Sequence, residues 1–326
     1  MRGSIPTCFF QAFFVFATFL SVSLPGMAQS SATPAIKMVI PFPAGGSADS
    51  FGRIVGQALA QQLDQPVVVD NKPGADGAIG AEAVINSPAN GLTIFLATNS
   101  AIVAVPTLRL KSPYDPRTAF SPIGMVGQSA FFLFVHPSVP GSTLQDFLAY
   151  AKGNPGKLNY ATAGATSILA SAQMLQIAGL TMTQVPYKGE ALAVPDLVSG
   201  RVQVMLGSTT SLLSLVKEGK LKVLAVVGDQ RSALAPDVPT LHESGIRGVS
   251  VVPWSAVFAP AGTPSPVVDR LSKALTSALR NPDTVRQLGA QGISAEVMTP
   301  AALSTFVAKQ YEVWSRLVID VKLERQ

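Results

Sequence analysis

Short apolar runs rich in β-branched residues alternate along the chain with longer amphipathic ones. The stretch IKMVIPF, Ile36 to Phe42, gives way to SADSFGRIVGQALAQQL, Ser47 to Leu63, in which Ile54, Val55, Ala58, Leu59 and Leu63 recur near spacings of three and four. That spacing predicts a helix with one apolar face. The theme continues with PVVVD before GAIGAEAVINS and with LTIFLAT after a turn at Asn90-Gly91. Strand, helix, strand in this order predicts parallel pairing with helices over both faces of a sheet.

The middle of the chain repeats the pattern. FFLFVHP, LNYAT, TQVPY, VQVMLGS and LKVLAVV read as strands, separated by the helical TLQDFLAYAKG, SILASAQMLQIAG, EALAVPDLVSG and SLLSLVKEGK. The last third gives a strand in VVPWSAVFAP, helices in SPVVDRLSKALTSALRN and DTVRQLGAQG, a short ISAEVM, and a long helix from about Pro300. About three strands, then about five, then a return suit an α/β fold of two lobes, each a mostly parallel sheet with flanking helices. Residues 29–130 and 252–326 are expected to form the first lobe and 131–251 the second, with extended crossings near GQSAFFLF and GVSVVPWSAVF.

The amino-terminal MRGSIPTCFFQAFFVFATFLSVSLPGMAQSS places one cation, Arg2, before an apolar Phe-rich run and a small-residue end at Gly26-Met27-Ala28. This is the layout of a secretory signal peptide over 1–28, cut near Ala28, and implies export to the periplasm. The single cysteine, Cys8, falls inside it, so cysteine catalysis and Cys-ligated metal drop out for the mature chain. The formal charge of +5 and pI of about 9.4 come from scattered basic residues, with only 13% of the chain charged. No arginine-rich arm or nucleic-acid motif is present, and a mildly basic solvated surface is the simpler reading.

Chemistry is scarce. The two histidines, His136 beside a proline at a strand end and His242 before a turn, read as structural, and no G-x-S-x-G stands ready to use either in a triad. No H-E-x-x-H or carboxylate run suggests a metal cage. An enzyme, a cofactor and a resident metal are therefore not expected.

The loop PFPAGGSAD, Pro41 to Asp49, is more informative. It lacks the G-x-G-x-x-G of a dinucleotide fold and the Gly-Lys-Ser/Thr of a P-loop. Gly45 and Gly46 allow close backbone approach, Ser47 is placed to cap the following helix, and the free N–H groups of its first turn favour an anion. The stretch YATAGATSILASAQ repeats the chemistry with Ala163, Gly164, Ala165, Thr166 and Ser167, and NKPGADGAIGAEAV and LATNSAIVAV add two more small-residue turns after strands. Such turns gather outside the carboxyl ends of strands, where α/β proteins hold ligands.

These stretches, followed in order by SPYDPRTAFSPIGMV, VHPSVP, YAKGNPGKLNYATAG, VPYKG, LVSGRVQVML, GKLKVLAVV, PDVPTLHESGI and APAGTPSPVVDRL, resemble the Bug family of extracytoplasmic solute receptors across essentially the whole mature chain. The resemblance implies a clam-like periplasmic binding protein, a monomer without cofactor, that closes on a small carboxylate and serves a tripartite tricarboxylate transporter permease. Carried over by residue, it implies ligand contacts from Phe42, Pro43, Ala44, Gly45, Gly46, Ser47 and Asp49, and from Asn99 and Ser100 in the turn after Thr98. The other lobe supplies Ala163 to Ser167, Tyr187, Lys188 and Ser208.

The chain departs from the family pattern twice. AGATSILA is shorter than the usual second-lobe turn, and Gly207-Ser208 stands where an Asp or Asn often follows the strand. A missing acid there argues for a carboxylate without an ammonium group, one with room for an apolar or aromatic body. Trp254 and Phe258 read as core, as do Phe306, Val307, Trp314, Leu317 and Val318 at helical spacing. Three roles stay open on the sequence: a transport receptor, a receptor that reports its ligand to a membrane sensor, and an exported enzyme acting on a carboxylate.

Overall fold

Met38, Val39 and Ile40 are all buried, as suits a strand covered on both faces. The computed structural model describes residues 33–208, 210–228 and 230–321, with Leu323 and Arg325. The expected signal peptide, 1–28, lies outside them. In chain order the elements are β1 (Ile36–Ile40), α1 (Ser47–Leu63), β2 (Val67–Asn71), α2 (Ala78–Ile85), β3 (Thr93–Thr98), α3 (Val105–Leu108), β4 (Phe120–Ser129) and β5 (Phe131–Val135). There follow α4 (Leu144–Gly153), β6 (Asn159–Thr162), α5 (Ala165–Ala178), β7 (Thr183–Pro186), α6 (Glu190–Val198), β8 (Val204–Gly207), α7 (Thr210–Lys217) and β9 (Lys222–Val227). The chain ends with β10 (Trp254–Pro260), α8 (Ser265–Arg280), α9 (Pro282–Ala290), β11 (Ile293–Ala295) and α10 (Pro300–Asp320).

The strands make two sheets, ordered β11-β4-β10-β3-β1-β2 and β7-β6-β8-β5-β9. Parallel pairs join β1 to β2 and β3, and β6 to β7 and β8. Antiparallel pairs join β10 to β3 and β4, β11 to β4, and β5 to β8 and β9. Both sheets are thus mixed, for a reason that the connections supply. β4 ends at Ser129 and β5 begins at Phe131, so the chain steps directly from one sheet to the other. β5 begins where β8 and β9 end and must run against them. β10, returning after β9, begins where β3 and β4 end and must do the same. The carboxyl ends of β1, β3 and β4 therefore face the junction from one lobe, and those of β6 to β9 face it from the other.

α1 covers the stretch in which its periodicity predicts a helix. Its Phe51, Val55 and Leu59 pack with β1 and with Leu271 and Leu275 of α8 in one apolar cluster. The expected count of three leading strands is one short, because β4 is a strand of ten residues, FSPIGMVGQS, whose glycines, proline and serines hide any alternation. Gly127 in this strand has φ +154°, and a Cβ there would fall 2.1 Å from the Ser294 carbonyl oxygen of β11. The absent side chain is what lets β11 pair.

Trp254, Phe258 and Trp314 are buried as expected, with Val307, Leu317 and Val318; Phe306 is half-buried against the Trp254 ring. Each such aromatic or aliphatic side chain contributes about 1.5–3 kcal/mol through burial. α5 is tied to the returning chain by Gln173. Its amide N–H group donates to the Gly248 carbonyl and the Ser250 hydroxyl, both at 3.1 Å, while its oxygen accepts from the Ser250 and Val251 backbone at 2.9 and 3.3 Å.

Gly127→Ala should cost about 1–3 kcal/mol, the usual range for overpacking, read as a lower urea midpoint. An unchanged midpoint would mean that β11 does not lie against β4 as described.

Candidate functional site

Beyond β1 the chain turns through Pro43 to Gly46, all exposed, before α1 starts at Ser47. Gly45 has φ +79°, and a Cβ on it would meet nothing within 4 Å, so backbone conformation and not space calls for glycine there. The residue that caps α1 is Gly46, and no side chain accepts from the first-turn N–H groups. This corrects the expected cap: Ser47 is the first helical residue, one position too late for its hydroxyl to reach back over the turn.

Asp49 is buried and turned inward. Its Oδ2 accepts from the Gly45 N–H at 2.9 Å and from Arg53 Nε at 3.0 Å, and its Oδ1 accepts from Asn71 Nδ2 at 3.0 Å. The Arg53 hydrogen bond, helped by Gly45 and Asn71, outweighs burial and holds its carboxyl below the usual carboxylate range. Asn71 also donates to the Phe42 carbonyl at 3.0 Å. Asp49 therefore shapes the loop, with its oxygens spent on the protein.

The loops after β2 and β3 close on the first. From Gly74 to Gly77 every φ is positive, including those of Ala75 (+50°) and Asp76 (+56°), a conformation uncommon outside glycine, Asn and Asp. A Cβ on Gly77 would fall 2.8 Å from Ala101 Cβ and 3.2 Å from Pro41 Cβ, so its absence lets α2 start against both neighbouring loops. The Ser100 hydroxyl donates to the Asp76 carbonyl at 3.3 Å, and Asn99 Nδ2 donates across to the Val252 carbonyl at 3.4 Å. Both are buried. The expected turn over Thr98 to Ser100 is replaced by a π-helical stretch, Ser100–Ala104, running straight into α3.

In the second lobe β6 leads through Ala163 and Gly164 into α5. The Ser167 hydroxyl accepts from the Ala163 N–H at 2.7 Å and donates to the Gly164 carbonyl at 2.9 Å. Thr166 stays half-exposed while Ala165 and Ser167 are buried. The Tyr187 hydroxyl donates to Asp196 at 2.7 Å; burial first, and that acceptor second, push its pKa up. Lys188 is exposed. Ser208 donates through its N–H and its hydroxyl to Glu190 at 3.0 and 3.1 Å. An acid does stand beside Ser208, supplied by the first residue of α6, which corrects the expectation of a site without one.

The two lobes meet here. A Cβ on Gly164 would have one neighbour within 4 Å, the Asp76 Oδ1 of the other lobe at 3.8 Å. Around this point the helix starts share one property. α1, α2, α5 and α6 are capped by Gly46, Gly77, Gly164 and Gly189, and no side chain caps any of them. Of the helices that start away from it, α4, α9 and α10 carry side-chain caps from Thr143, Asn281 and Thr299, while α8, which follows Pro264, carries none. The junction is thus ringed by donors of partial positive charge that side chains leave open. His136 closes β5 at the opposite end of its strand, and His242 is exposed.

Asp76 and Glu190 carry no sequence signal: each is an acid brought to the junction by tertiary packing. The Gly-x-x-Gly frame of GADG is what could have drawn attention to Asp76.

Residues 51–323 match the profile of the tripartite tricarboxylate transporter family receptor, TctC. The chain belongs to the TctC family. It is 32% identical over 307 residues to BugT of Bordetella pertussis, covering 93% of this chain and 94% of that one. Among solved structures, the periplasmic binding protein BugD is 34% identical, with a TM-score of 0.77 over 90% of this chain and 99% of its own. A protein of R. palustris solved with adipate is 28% identical, with a TM-score of 0.80 over 88% and 97%. Like other TctC receptors, this chain is a periplasmic solute-binding protein and not an enzyme.

Asp49→Asn should destabilise this TctC receptor by about 1–3 kcal/mol, since one amide oxygen cannot serve three donors. The lowered carboxyl pKa sets the pH dependence. Its contribution is full above the ordinary value of 3.8 and is lost as pH falls through the folded value. Unfolding curves of the two proteins should therefore differ by a constant amount from about pH 5 to 7 and converge in stronger acid. A gap that widens in acid would contradict the assignment.

Proposed function

We propose that this receptor captures a small organic carboxylate between its lobes and delivers it, as a single chain, to the membrane permease of a tripartite tricarboxylate-type transporter. The observation that carries the reading is the ring of glycine-capped helix starts, whose N–H groups suit carboxylate oxygens. The N–H donors are those of Ser47 at the start of α1 and of Ala165 to Ser167 at the start of α5, because Pro43 has none and those of Gly45 and Ala163 already serve Asp49 and Ser167. The rest of the Phe42 to Gly46 loop, with Ala163 and Gly164, lines the site, and Asn99, Ser100, Tyr187, Lys188 and Ser208 stand around it. Asp49 fixes the first loop from beneath. The adipate held by the R. palustris relative supports the ligand class.

The moving bodies are residues 29–130 with 252–326, and residues 131–251. Closure brings both sets of donors onto one ligand, so the closed state gains contacts that the open state lacks. Export through the amino-terminal signal peptide accounts for a periplasmic receptor whose described helices include none long and apolar enough to cross a membrane.

The reading is tested by thermal unfolding of the chain from Gln29 onward against adipate, succinate, citrate, benzoate, aspartate and glutamate. Ligand at a hundred times its dissociation constant should stabilise by about 2.7 kcal/mol, a rise of several degrees. No rise with any of these acids would remove the proposal. Gly46→Asp provides a sharper check, because its extended backbone (φ −79°, ψ 173°) accepts a capping carboxylate. It should raise the stability of the free protein by a few tenths of a kcal/mol, about the Asp-over-Gly preference at that position. It should also weaken the best acid at least tenfold by calorimetry. Unaltered affinity would exclude α1 from the site.

A further inference from the structure

The helix that follows β3 is wider than an α-helix over Ser100–Ala104, and a proline lies behind the change. Pro106 follows that stretch, and in a regular helix its ring would meet the Ile102 carbonyl four residues back. Ahead of it the bonding slips by one residue, so that the Val105 N–H donates to the Ser100 carbonyl, five residues back. The slip strands one acceptor. The Ala101 carbonyl would take the Val105 N–H in an α-helix and an N–H of residue 106 in a π-helix. The first is spent on Ser100, and proline lacks the second. Ala101 is fully buried, so its carbonyl needs a partner from the protein.

Tyr114 supplies the missing donor. Its hydroxyl donates to the Ala101 carbonyl. Its ring lies edge-on to Phe120 of β4 with centroids 5.8 Å apart, and Phe120 stacks on Phe95 of β3. The Ser112 hydroxyl donates to the Tyr114 carbonyl at 2.6 Å and steadies the loop that carries it. Burial raises the phenol pKa above the ordinary tyrosine range, so the donor proton is kept well past neutral pH.

The segment from Ser100 to Arg109 holds the second loop of the junction at three successive residues. Arg109 Nη2 donates to the Ala75 carbonyl at 3.2 Å, the Ser100 hydroxyl donates to that of Asp76 at 3.3 Å, and Ala101 Cβ lies 2.8 Å from where a Cβ on Gly77 would fall. Gly74 to Gly77 all have positive φ, and backbone in so sparse a region persists only where its surroundings fix it. This loop carries Asp76, the residue that reaches Gly164 of the other lobe.

We infer that Tyr114 is a positioning residue of the ligand cleft: by closing the Ala101 carbonyl it keeps the π-helical turn in place, and through Ser100 and Ala101 it sets the shape of the Gly74–Gly77 loop. Its effect on ligand rests on the carboxylate reading above, whereas its effect on the loop does not.

Tyr114→Phe removes only the hydroxyl. In the free protein it should speed hydrogen exchange at Gly77 and Ala78, whose N–H groups donate to the Gly74 and Ala75 carbonyls, by about tenfold, the lower end of what one lost buried hydrogen bond produces. In the folded variant, checked by thermal unfolding, the best acid of the panel should bind about tenfold more weakly for the same reason. Pro106→Ala supplies a backbone N–H five residues after Ala101, so adding it to Tyr114→Phe should restore both quantities. Unchanged exchange in Tyr114→Phe, full acid affinity in it, or a double variant no better than the single one would each overturn the inference. If the wild-type chain binds none of the acids, the carboxylate reading falls and the exchange measurement decides by itself. Should Tyr114→Phe alone not fold, the double variant must fold with wild-type exchange, and its failure would overturn the inference as well.

Discussion

A strand that begins where its neighbours end must run against them, and much of this receptor follows from that constraint. The chain crosses between its sheets at Ser129 to Phe131 and returns before Trp254, so β5 and β10 are the reversed strands. The remaining long strands then point their carboxyl ends at the crossing from both sides. Helices that follow such strands start there with their N–H groups forward. Two crossings thus convert ordinary βα units into two facing arrays of donors.

Which helix starts stay open is decided residue by residue. Thr143, Asn281 and Thr299 close the starts of helices away from the junction with their own oxygens. At the junction, glycine takes that position in α1, α2, α5 and α6. Omitting a cap costs a few tenths of a kcal/mol per helix relative to a polar one. In return the strongest local donors remain available without a charged side chain, whose long stem would crowd a small ligand.

Periodicity made α1 legible but for its first residue, and the alternation of apolar runs and helices gave the two-lobed α/β class. β4 escaped because FSPIGMVGQS is shaped by the backbone of β11 and by β10, not by a face of its own. The glycine-led helix starts were legible where they depend on local chemistry, as in PAGGS and AGATS. Cap assignment failed at Ser47 because one residue of offset separates an N-cap from the first helical position. The inward turn of Asp49 depends on Asn71, 22 residues away, and the acids at Gly164 and Ser208 come from other segments altogether. Long-range partners of that kind leave no periodic trace.

The Gln173 amide gives α5 a second office. Gly164 begins the helix beside the other lobe, and Gln173, about 13 Å farther along at about 1.5 Å per residue, grips the chain from Gly248 to Val251 just ahead of β10. The helix is in effect a lever with one arm at the junction of the lobes and its fulcrum clamped to the segment ahead of β10. About one degree of tilt at that arm length displaces the far end by about 0.2 Å. A push at the Gly164 end is thereby geared mechanically to the segment that carries the chain back to the first sheet.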